Sequence, residues 1–511
     1  METTPSGGSV VALTIADEQA MRDLAVDLAN ALDPGDVVAL SGDLGAGKTT
    51  LARAMIRHLA GDPGLDVPSP TFTLMQSYEL PRFVLVHADF YRLAGPADLR
   101  ELGFEDLPAG AVVLIEWPDR APGLLPGERL EVEIRLDAKH GSERRNVRIT
   151  GFRGFASRTE RLPKVRQFLA DTGFAGAERV RLAGDASTRS YERLALGGRR
   201  AIFMNAPRRP DGPPVKHGRP YSAIAHLAED VRPYVALANT LRARGFSAPD
   251  IYAADIEDGF VLIEDLRNST VVAGDPPAPI AECYRTAVDL LVTLHSLSLP
   301  PEIPVTPNVT HRLPVYDLDA FMIEIELLLD WYLPRLSATP TLTARNAFLS
   351  FWRQALAPVL AAPKAWVLRD FHSPNLLWLP ERSGIARIGL LDFQDALLGP
   401  AAYDLASLLQ DARVDVPETL EIELFGRYIR ARRQADPGFD AAYFAQLYAT
   451  LAAQRASKIL GIFARLDQRD RKPQYLRHMP RVAGYLQRSL AHPVLAPIKA
   501  WCNAYVPPPP V

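Results

Sequence analysis

The chain has 511 residues, of which 48% are hydrophobic and 23% are charged, and its net charge is -3. This length exceeds one small domain, and this balance is typical of a globular chain rather than a disordered one. No apolar run approaches the ~20 residues that span a bilayer, and the N-terminus has no secretory signal pattern, so we expect no membrane association. Two cysteines exclude a disulfide framework and favour a cytoplasmic location.

Charge is distributed unevenly along the chain. Residues 1–150 contain 14 Lys+Arg and 23 Asp+Glu, whereas the remainder contains 43 and 37. Neither part is basic enough to predict nucleic-acid binding from its charge alone. The change of sign indicates two units of different origin.

Short apolar runs alternate with helical patterns in the first 150 residues. Continuous apolar stretches predict strands buried on both faces at 37–40, 83–86 and 112–115. Helices are predicted at about 18–32 and 49–59, and the alternation that begins at Leu130 predicts a closing hairpin. We therefore predict an α/β domain with a mainly parallel sheet over residues 1–152.

A glycine-rich motif lies between the first apolar run and the following helix. Its residues fit G-x-x-x-x-G-K-[ST] and are predicted to bind nucleotide together with Thr50: Gly42, Asp43, Leu44, Gly45, Ala46, Gly47, Lys48 and Thr49. In such a P-loop, backbone N–H groups converge on phosphate oxygens, the lysine neutralises charge and the hydroxyl binds Mg²⁺. The motif predicts an ATP and Mg²⁺ site; a structural P-loop or an unrelated nucleotide kinase is the competing interpretation.

Two carboxylates end neighbouring apolar runs. Asp89 follows the run at 83–86, and Glu116 follows the run at 112–115. P-loop enzymes hold the metal or its water with a carboxylate at such a position. A helix cap or a solvent-facing acid is the alternative for either residue, and position alone does not assign their roles.

Four segments resemble, in order and spacing, the TsaE family, whose ATPase supports synthesis of threonylcarbamoyladenosine at position 37 of tRNA. They are residues 42–50, 67–73, 87–93 and 115–118. The resemblance covers residues ~10–150 and implies that Lys48 and Thr49 bind nucleotide phosphate and Mg²⁺. It also implies ATP as cofactor, partner proteins of the TsaB and TsaD type, and a contact with tRNA that is indirect, which suits the acidic balance of this domain.

The same resemblance assigns roles to other side chains of this domain. Glu116 is implied to be a metal ligand, and Asp89 a catalytic or water-positioning acid. Thr71 is implied to lie in a switch-like loop and Trp117 beside the active site. His87 also matches the family pattern, although a lone histidine is more often structural.

Residues 151–161 show no periodicity, and we predict a linker at 153–160. A second domain is predicted over residues 161–511. Its small lobe is expected at about 161–270 and its helical large lobe at about 271–505. We expect a two-lobed α+β architecture for this domain.

Three polar residues of the second domain have the spacing of a kinase-type site. Asp370 follows an apolar strand, Asn375 comes five residues later, and Asp392 ends the next apolar run. In phosphoryl transfer of this type one Asp orients or deprotonates the acceptor hydroxyl, while an Asn and a second Asp hold Mg²⁺. The trio therefore predicts a catalytic Asp370 and metal ligands Asn375 and Asp392.

The surrounding pattern resembles the aminoglycoside phosphotransferase and choline kinase superfamily, which has the protein-kinase fold. Tyr403-Asp404-Leu405 after the metal-binding Asp is part of this resemblance. The segment 260–266, with Glu264, resembles the hinge strand that receives adenine through its backbone. The segment 184–191 resembles the turn over the phosphates, without the G-x-G-x-x-G spacing.

The strand at 200–207 lacks the lysine that would pair with the phosphates, because Met204 or Asn205 stands at its position. Within the superfamily the chain most resembles the AmgK family of N-acetylmuramate/N-acetylglucosamine kinases, which implies an amino-sugar substrate, and Arg189 is our prediction for the replacement cation. We therefore predict a bifunctional fusion of an ATPase and an amino-sugar kinase. Two alternatives remain: a catalytically inactive kinase-like scaffold, and a kinase of aminoglycosides or small alcohols.

Overall fold

The computed structural model describes residues 8–93, 106–121, 123, 125–137, 143–182, 189–209, 212–267 and 269–507. Its contacts divide the chain into two compact units, Met1–Asn205 and Ala206–Val511. The domain limits predicted from the sequence remain a prediction. The linker predicted at 153–160 is not an irregular segment, since a helix begins at Gly154.

In the described part of the first unit, seven strands form one sheet. They are β1 Gly8–Ile15, β2 Val37–Ser41, β3 Met75–Glu79, β4 Val84–Asp89, β5 Val112–Glu116, β6 Arg129–Leu136 and β7 Arg145–Phe152. The order is β1-β7-β6-β2-β5-β4-β3. The four central strands, β6, β2, β5 and β4, are parallel to their neighbours in that group, and the edge strands pair antiparallel. The predicted α/β domain with a mainly parallel core is confirmed.

In the part of this unit that the structure describes, three α-helices pack: α1 Glu18–Asn30, α2 Lys48–Ala60 and α3 Gly154–Asp171. The side chain of Asp17 caps α1 by accepting from the backbone N–H of Ala20. Apolar side chains of α1, α2 and the sheet are buried in one core, among them Leu28, Leu51 and Val132. Because the glycine-rich loop connects the end of β2 to the start of α2, it lies at the carboxyl edge of the parallel strands.

The first unit also contains the start of the second predicted domain. After α3, strand β9 (Ser190–Leu196) pairs antiparallel with both β8 (Glu178–Arg181) and β10 (Arg199–Asn205). A buried charge network joins these strands to α1. Arg179 donates to Glu192 at 2.7 Å and also to Asp27, and all three side chains are at most 10% exposed. Burial lowers the pKa of Arg179, but the two carboxylates raise it by more, so the guanidinium stays charged.

Replacing Arg179 with Met is expected to destabilise the first unit by about 3–5 kcal/mol, because it removes the cation that the buried carboxylates of Asp27 and Glu192 share, although Asp27 keeps its ion pair with Arg166. Urea-induced unfolding of the full chain measures this loss. Arg22→Met is the control, since Arg22 pairs with Glu18 on the surface of α1 and its side chain is 51% exposed. An Arg179→Met chain with the unfolding midpoint of the control would contradict the expectation.

The described part of the second unit is mainly helical. Its helices are α4 Tyr221–Ile224, α5 Arg232–Ala243, α6 Ala281–Ser296, α7 Leu318–Leu327, α8 Leu333–Arg335, α9 Leu342–Ala361, α10 Ala402–Leu409, α11 Glu418–Ala435, α12 Ala441–Gln468, α13 Met479–Ser489 and α14 Ala496–Tyr505. The longest, α12, is buried over much of its length and is capped by the side chain of Asp440. No described helix is both long and apolar enough to cross a membrane.

The strands of the second unit are short: β11 Pro214–Lys216, β12 Arg219–Pro220, β13 Ile251–Asp255, β14 Phe260–Ile263, β15 Val272–Ala273, β16 Ala278–Pro279, β17 Glu302–Thr306, β18 Val309–Arg312, β19 Ala365–Val367, β20 Leu376–Trp378, β21 Ile388–Leu390 and β22 Leu397–Gly399. Strand β19 pairs with β22, and β20 pairs with β21. The segment between β19 and β20 and the residues after β21 carry the predicted catalytic side chains.

Candidate functional sites

The glycine-rich loop of the first unit has a conformation that only glycine adopts readily. Gly42, Gly45 and Gly47 have φ angles of 134°, 78° and 109°. A Cβ at Gly42 would also lie 2.1 Å from the carbonyl oxygen of Ile134. Lys48 Nζ donates to the carbonyl oxygens of Gly42 and Asp43, at 2.7 and 2.9 Å. The side chain of Lys48, at the start of α2, therefore folds back onto the carbonyl groups of the loop.

Glu116 joins the loop to the neighbouring strand. Thr49 Oγ1 donates to Glu116 Oε2 at 2.8 Å, and His87 Nε2 lies 2.9 Å from Glu116 Oε1. His87 and Glu116 are both buried, with side chains 0% and 2% exposed. Such an imidazole fixes the orientation of a ligating carboxylate. The sequence marked His87 only as part of a pattern, and its contact with Glu116 is visible only in the fold.

Asp89 lies beside Glu116, because β4 and β5 pair in parallel with these residues in register. Its Oδ2 accepts from Thr71 Oγ1 at 2.7 Å, and its Oδ1 accepts from the backbone N–H of Tyr91 at 2.9 Å. Asp89 is buried, at 3% exposed. The structure thus brings the predicted acid and the predicted loop residue Thr71 into direct contact.

Trp117 packs directly on Lys48. Its ring centroid lies 3.6 Å from Lys48 Nζ, a cation–π distance, and its backbone has a φ of 58°. Burial lowers the pKa of Lys48, and the carboxylates of Glu116, Asp89 and Asp43 oppose this effect. The ammonium is therefore held between an aromatic face and a group of acids, where an anionic phosphate would relieve its desolvation.

The donors at this site suit Mg²⁺, which prefers oxygen ligands and is usually held by one or two carboxylates together with substrate phosphates. The Thr49 hydroxyl and the Glu116 carboxylate are hydrogen-bonded to each other at the end of β5. They are the two groups of this chain that would hold the ion. When bound, the ion supplies charge neutralisation on the phosphates.

Nucleotide binding is expected to change the fluorescence of Trp117, because the phosphates draw Lys48 away from the ring. ATP titration of the full chain measures the signal. Trp117→Phe and Lys48→Ala should each remove the part of the fluorescence change that arises from the contact between Lys48 and the Trp117 ring. Trp501→Phe is the control, since this buried residue lies in α14. An unchanged ATP response in Trp117→Phe would contradict the contact.

In the second unit, the loop that carries Asp370 is held by a buried carboxylate. Asp404 on α10 accepts from the backbone N–H groups of Leu368 and Arg369, at 2.7 and 2.8 Å. Asp404 is fully buried. Arg369, which precedes Asp370, has a φ of 70°, a strained value for a residue with a side chain. The predicted Tyr403-Asp404-Leu405 motif therefore fixes the backbone of the predicted catalytic loop.

Asn375 and Asp392 lie at the same end of the β20–β21 hairpin. Asn375 Nδ2 donates to the carbonyl oxygen of Asp370 at 2.9 Å, and its own carbonyl accepts from the N–H of Leu391 at 2.9 Å. Asp392 has a φ of 54°, and its Oδ1 accepts from Gln394 Nε2 at 2.6 Å. The fold therefore brings the predicted trio together. The two predicted metal ligands are oxygen donors, as Mg²⁺ requires.

The side chain of Glu264 is occupied by ion pairs. Its carboxylate accepts from Arg242 at 3.2 Å and from Arg382 at 2.7 Å, and its backbone N–H donates to Asp250. The nucleotide-binding role predicted for this segment stays a prediction.

The predicted phosphate turn at 184–191 lies mostly outside the described residues, which resume at Arg189. In the first unit, Asn205 stands near the end of the strand that lacks a lysine. Its Oδ1 accepts from Arg161 Nε on α3 at 3.0 Å. The proposal of Arg189 as the replacement cation stays a prediction; the contact between Arg161 and Asn205 was not expected from the sequence, because the two residues are far apart in the chain.

Two protein-family models match different parts of the chain. The model "Threonylcarbamoyl adenosine biosynthesis protein TsaE" matches residues 15–147, and the model "Phosphotransferase enzyme family" matches residues 178–444. The two matches do not overlap.

Curated relatives divide in the same way. An N-acetylmuramate/N-acetylglucosamine kinase of Caulobacter vibrioides is 39% identical over 366 residues, covering 68% of this chain and 98% of the relative. A tRNA threonylcarbamoyladenosine biosynthesis protein TsaE of Rickettsia felis is 41% identical over 124 residues, covering 24% of this chain and 72% of the relative. Among solved structures, a putative aminoglycoside phosphotransferase from Ralstonia eutropha is 15% identical to this chain. The match covers 68% of this chain and 99% of the chain in that structure, with a TM-score of 0.44.

Proposed function

Because the chain belongs to the TsaE family through its first part and to the phosphotransferase enzyme family through its second, we propose that it carries two ATP-dependent activities. The first is the ATPase of threonylcarbamoyladenosine synthesis on tRNA. The second is phosphorylation of an amino sugar. The P-loop, Asp89 and Glu116 lie in the first compact unit, and Asp370, Asn375 and Asp392 lie in the second, so each activity has its own catalytic residues.

In the ATPase, the loop 42–50 holds the nucleotide phosphates, and Lys48 neutralises their charge. Thr49 and Glu116 would hold Mg²⁺, and the contact between His87 and Glu116 would keep the carboxylate in its orientation. Asp89 orients the attacking water, since its carboxylate lies beside Glu116 at the end of the adjacent strand. The contact that carries this proposal is the hydrogen bond between Thr49 and Glu116, which joins the P-loop to the strand-end acid.

Proteins of the TsaB and TsaD type are proposed as partners of this ATPase, with tRNA contacted indirectly. Apolar side chains are exposed next to residues of the nucleotide site: Leu44 in the loop at 76%, Phe72 after Thr71 at 80%, and Tyr91 at 40%. Tyr91 also packs on Trp117, with ring centroids 5.1 Å apart. Exposed apolar groups at one site support a protein partner there. The excess of acidic residues at 1–150 disfavours direct binding of a nucleic-acid backbone.

In the phosphotransferase, Asp370 accepts the proton of the sugar hydroxyl that attacks the γ-phosphate of ATP. Asn375 and Asp392 would hold Mg²⁺, which would neutralise charge on the phosphates. Asp404 keeps the catalytic loop in place through two backbone hydrogen bonds. N-acetylmuramate and N-acetylglucosamine are the proposed acceptors, supported by the 39% identity to the N-acetylmuramate/N-acetylglucosamine kinase of Caulobacter vibrioides, 98% of which is covered by the match. The domain limits 1–152 and 161–511 and a cytoplasmic location are part of this proposal.

A phosphorylation screen of the purified full chain tests the second activity. ATP and Mg²⁺ are supplied with N-acetylmuramate, N-acetylglucosamine, kanamycin or choline, and phosphorylated products are measured by mass. We expect products with the two amino sugars only. Transfer to kanamycin or choline would favour the alternative substrates. Absence of transfer to any of the four acceptors would favour the inactive scaffold, for which the absent small-lobe lysine is the argument.

A further inference from the structure

Arg465, near the end of α12, packs its guanidinium on an aromatic ring. The group lies 5.0 Å from the ring centroid of Tyr221, a cation–π distance. Arg465 Nε is buried and has no hydrogen-bond partner among the residues that the structure describes. Buried donors are rarely left unpaired, because each has lost its hydrogen bonds to water. The side chain therefore has an unused donor.

The two acidic residues that follow Arg465 in the chain are engaged by other arginines. Asp467 forms an ion pair with Arg335, and Asp470 pairs with Arg469 at 2.7 Å. Burial lowers the pKa of Arg465, and its neighbours do not offset this effect. A partly desolvated guanidinium in such a position is stabilised by an anion, and its planar fork suits a carboxylate in particular.

Hydrogen bonds connect the Arg465–Tyr221 pair to the catalytic loop. Tyr221 begins α4, and its carbonyl oxygen accepts from the N–H of Ala225 at 2.8 Å. The carbonyl oxygen of Ala225 in turn accepts from Arg369 Nη1 at 2.9 Å. Arg369 directly precedes Asp370. The pair is thus linked to the predicted catalytic residue through one helical turn and one arginine side chain.

A second link runs along α12. Lys458 lies two helical turns before Arg465, on the same face of the helix. Its Nζ is 2.8 Å from Glu324 Oε1, and Arg369 donates to the same oxygen. Arg465 therefore lies on the side of α12 that contacts the support of the catalytic loop.

The two proposed acceptors differ in one charged group. N-acetylmuramate carries a lactyl ether with a carboxylate on C3, where N-acetylglucosamine has a hydroxyl. The sugar ring and the N-acetyl group are common to both, so only the carboxylate distinguishes them by charge. A guanidinium with an unused donor near the catalytic loop has the chemistry to recognise that group.

We propose that Arg465, supported by the ring of Tyr221, binds the carboxylate of a sugar acid and makes the phosphotransferase prefer acidic amino sugars to neutral ones. The proposal rests on the proposed phosphorylation of an amino sugar. It adds the chemical class of the preferred acceptor, an amino sugar with a carboxyalkyl ether, and a residue that sets this preference.

Steady-state kinetics of the full chain test the proposal with N-acetylmuramate and its methyl ester, which has no carboxylate charge. In wild type, kcat/KM for the acid should exceed that for the ester by about 10–100-fold, the range expected for one charge-assisted hydrogen bond. Arg465→Met should remove this preference, and so should Arg465→Gln, which keeps a polar side chain at the half-buried position. Arg469→Met is the matched control, because Arg469 lies one turn later, is 57% exposed and pairs with Asp470.

N-acetylglucosamine is the neutral reference, since a general loss of activity lowers kcat/KM for all three sugars alike. The proposal expects the loss for the acid to exceed the loss for this reference by about 10–100-fold. A wild-type chain without preference for the acid, or an Arg465→Met or Arg465→Gln chain that keeps the preference, overturns the proposal. A raised KM for ATP with an unchanged ratio of acid to ester overturns it as well, because Arg465 then acts on the nucleotide. A wild-type chain that phosphorylates none of the three sugars overturns the proposed function instead.

Discussion

Replacing Asp370 with Asn is expected to abolish phosphorylation of N-acetylmuramate and N-acetylglucosamine, with kcat lowered by about 10³-fold or more. General-base groups contribute about 10²–10⁴-fold to such reactions. The substitution keeps the shape of the side chain but removes the carboxylate that accepts the hydroxyl proton. Because the loop is held through Asp404 and the backbone of Leu368 and Arg369, its conformation should persist in the variant.

The measurement is product formation with saturating ATP and sugar. Asp436→Asn is the matched control, because Asp436 is exposed at the end of α11 and makes only a local turn contact with Gly438. Full activity in the control and loss in Asp370→Asn are expected. Phosphorylation at the wild-type rate in Asp370→Asn would remove this residue from the transfer step.

Replacing Lys48 with Ala is expected to abolish ATP hydrolysis at the first site, with a loss of about 10²–10³-fold or more, the usual cost of removing one electrostatic stabiliser of the transition state. Lys48 is the cation that the loop holds between Trp117 and the acids Glu116 and Asp89. Alanine leaves the loop carbonyls of Gly42 and Asp43 without their donor and the phosphates without a positive charge.

Phosphate release is measured without sugar, in a chain that also carries Asp370→Asn, so that the second site adds no background. Lys164→Ala is the control, since Lys164 is an exposed residue of α3 in the same unit. Hydrolysis at the parent rate after Lys48→Ala would show that this P-loop does not perform the chemistry.

The sequence predicts the parts of both sites whose residues are close together in the chain. The P-loop is one continuous motif, and Asp89 and Glu116 are each found by the strand they end. The trio of the second site spans little more than 20 residues: Asp370 follows β19, Asn375 precedes β20 and Asp392 follows β21. Contacts between distant segments cannot be predicted in this way. No local sequence pattern indicates that His87 contacts Glu116, or that Lys458 forms an ion pair with Glu324.

The predicted linker at 153–160 shows a different limit. Helix α3 buries Phe155, Thr159, Leu162, Val165 and Leu169 at helical spacing. The stripe includes a polar threonine and is interrupted in the sequence by Pro163 and by charged residues, so its period is difficult to recognise. The helix belongs to the same compact unit as the network of Asp27, Arg179 and Glu192, which joins α1 to β8 and β9.

The central claim is that one chain carries two separate ATP-dependent sites, and a crossed assay of two full-length variants tests it most directly. Lys48→Ala and Asp370→Asn are each measured for sugar-independent ATP hydrolysis and for sugar phosphorylation. The account predicts that Lys48→Ala loses hydrolysis and keeps phosphorylation, and that Asp370→Asn does the reverse. Loss of both activities in either variant, with the protein folded, would contradict two independent sites.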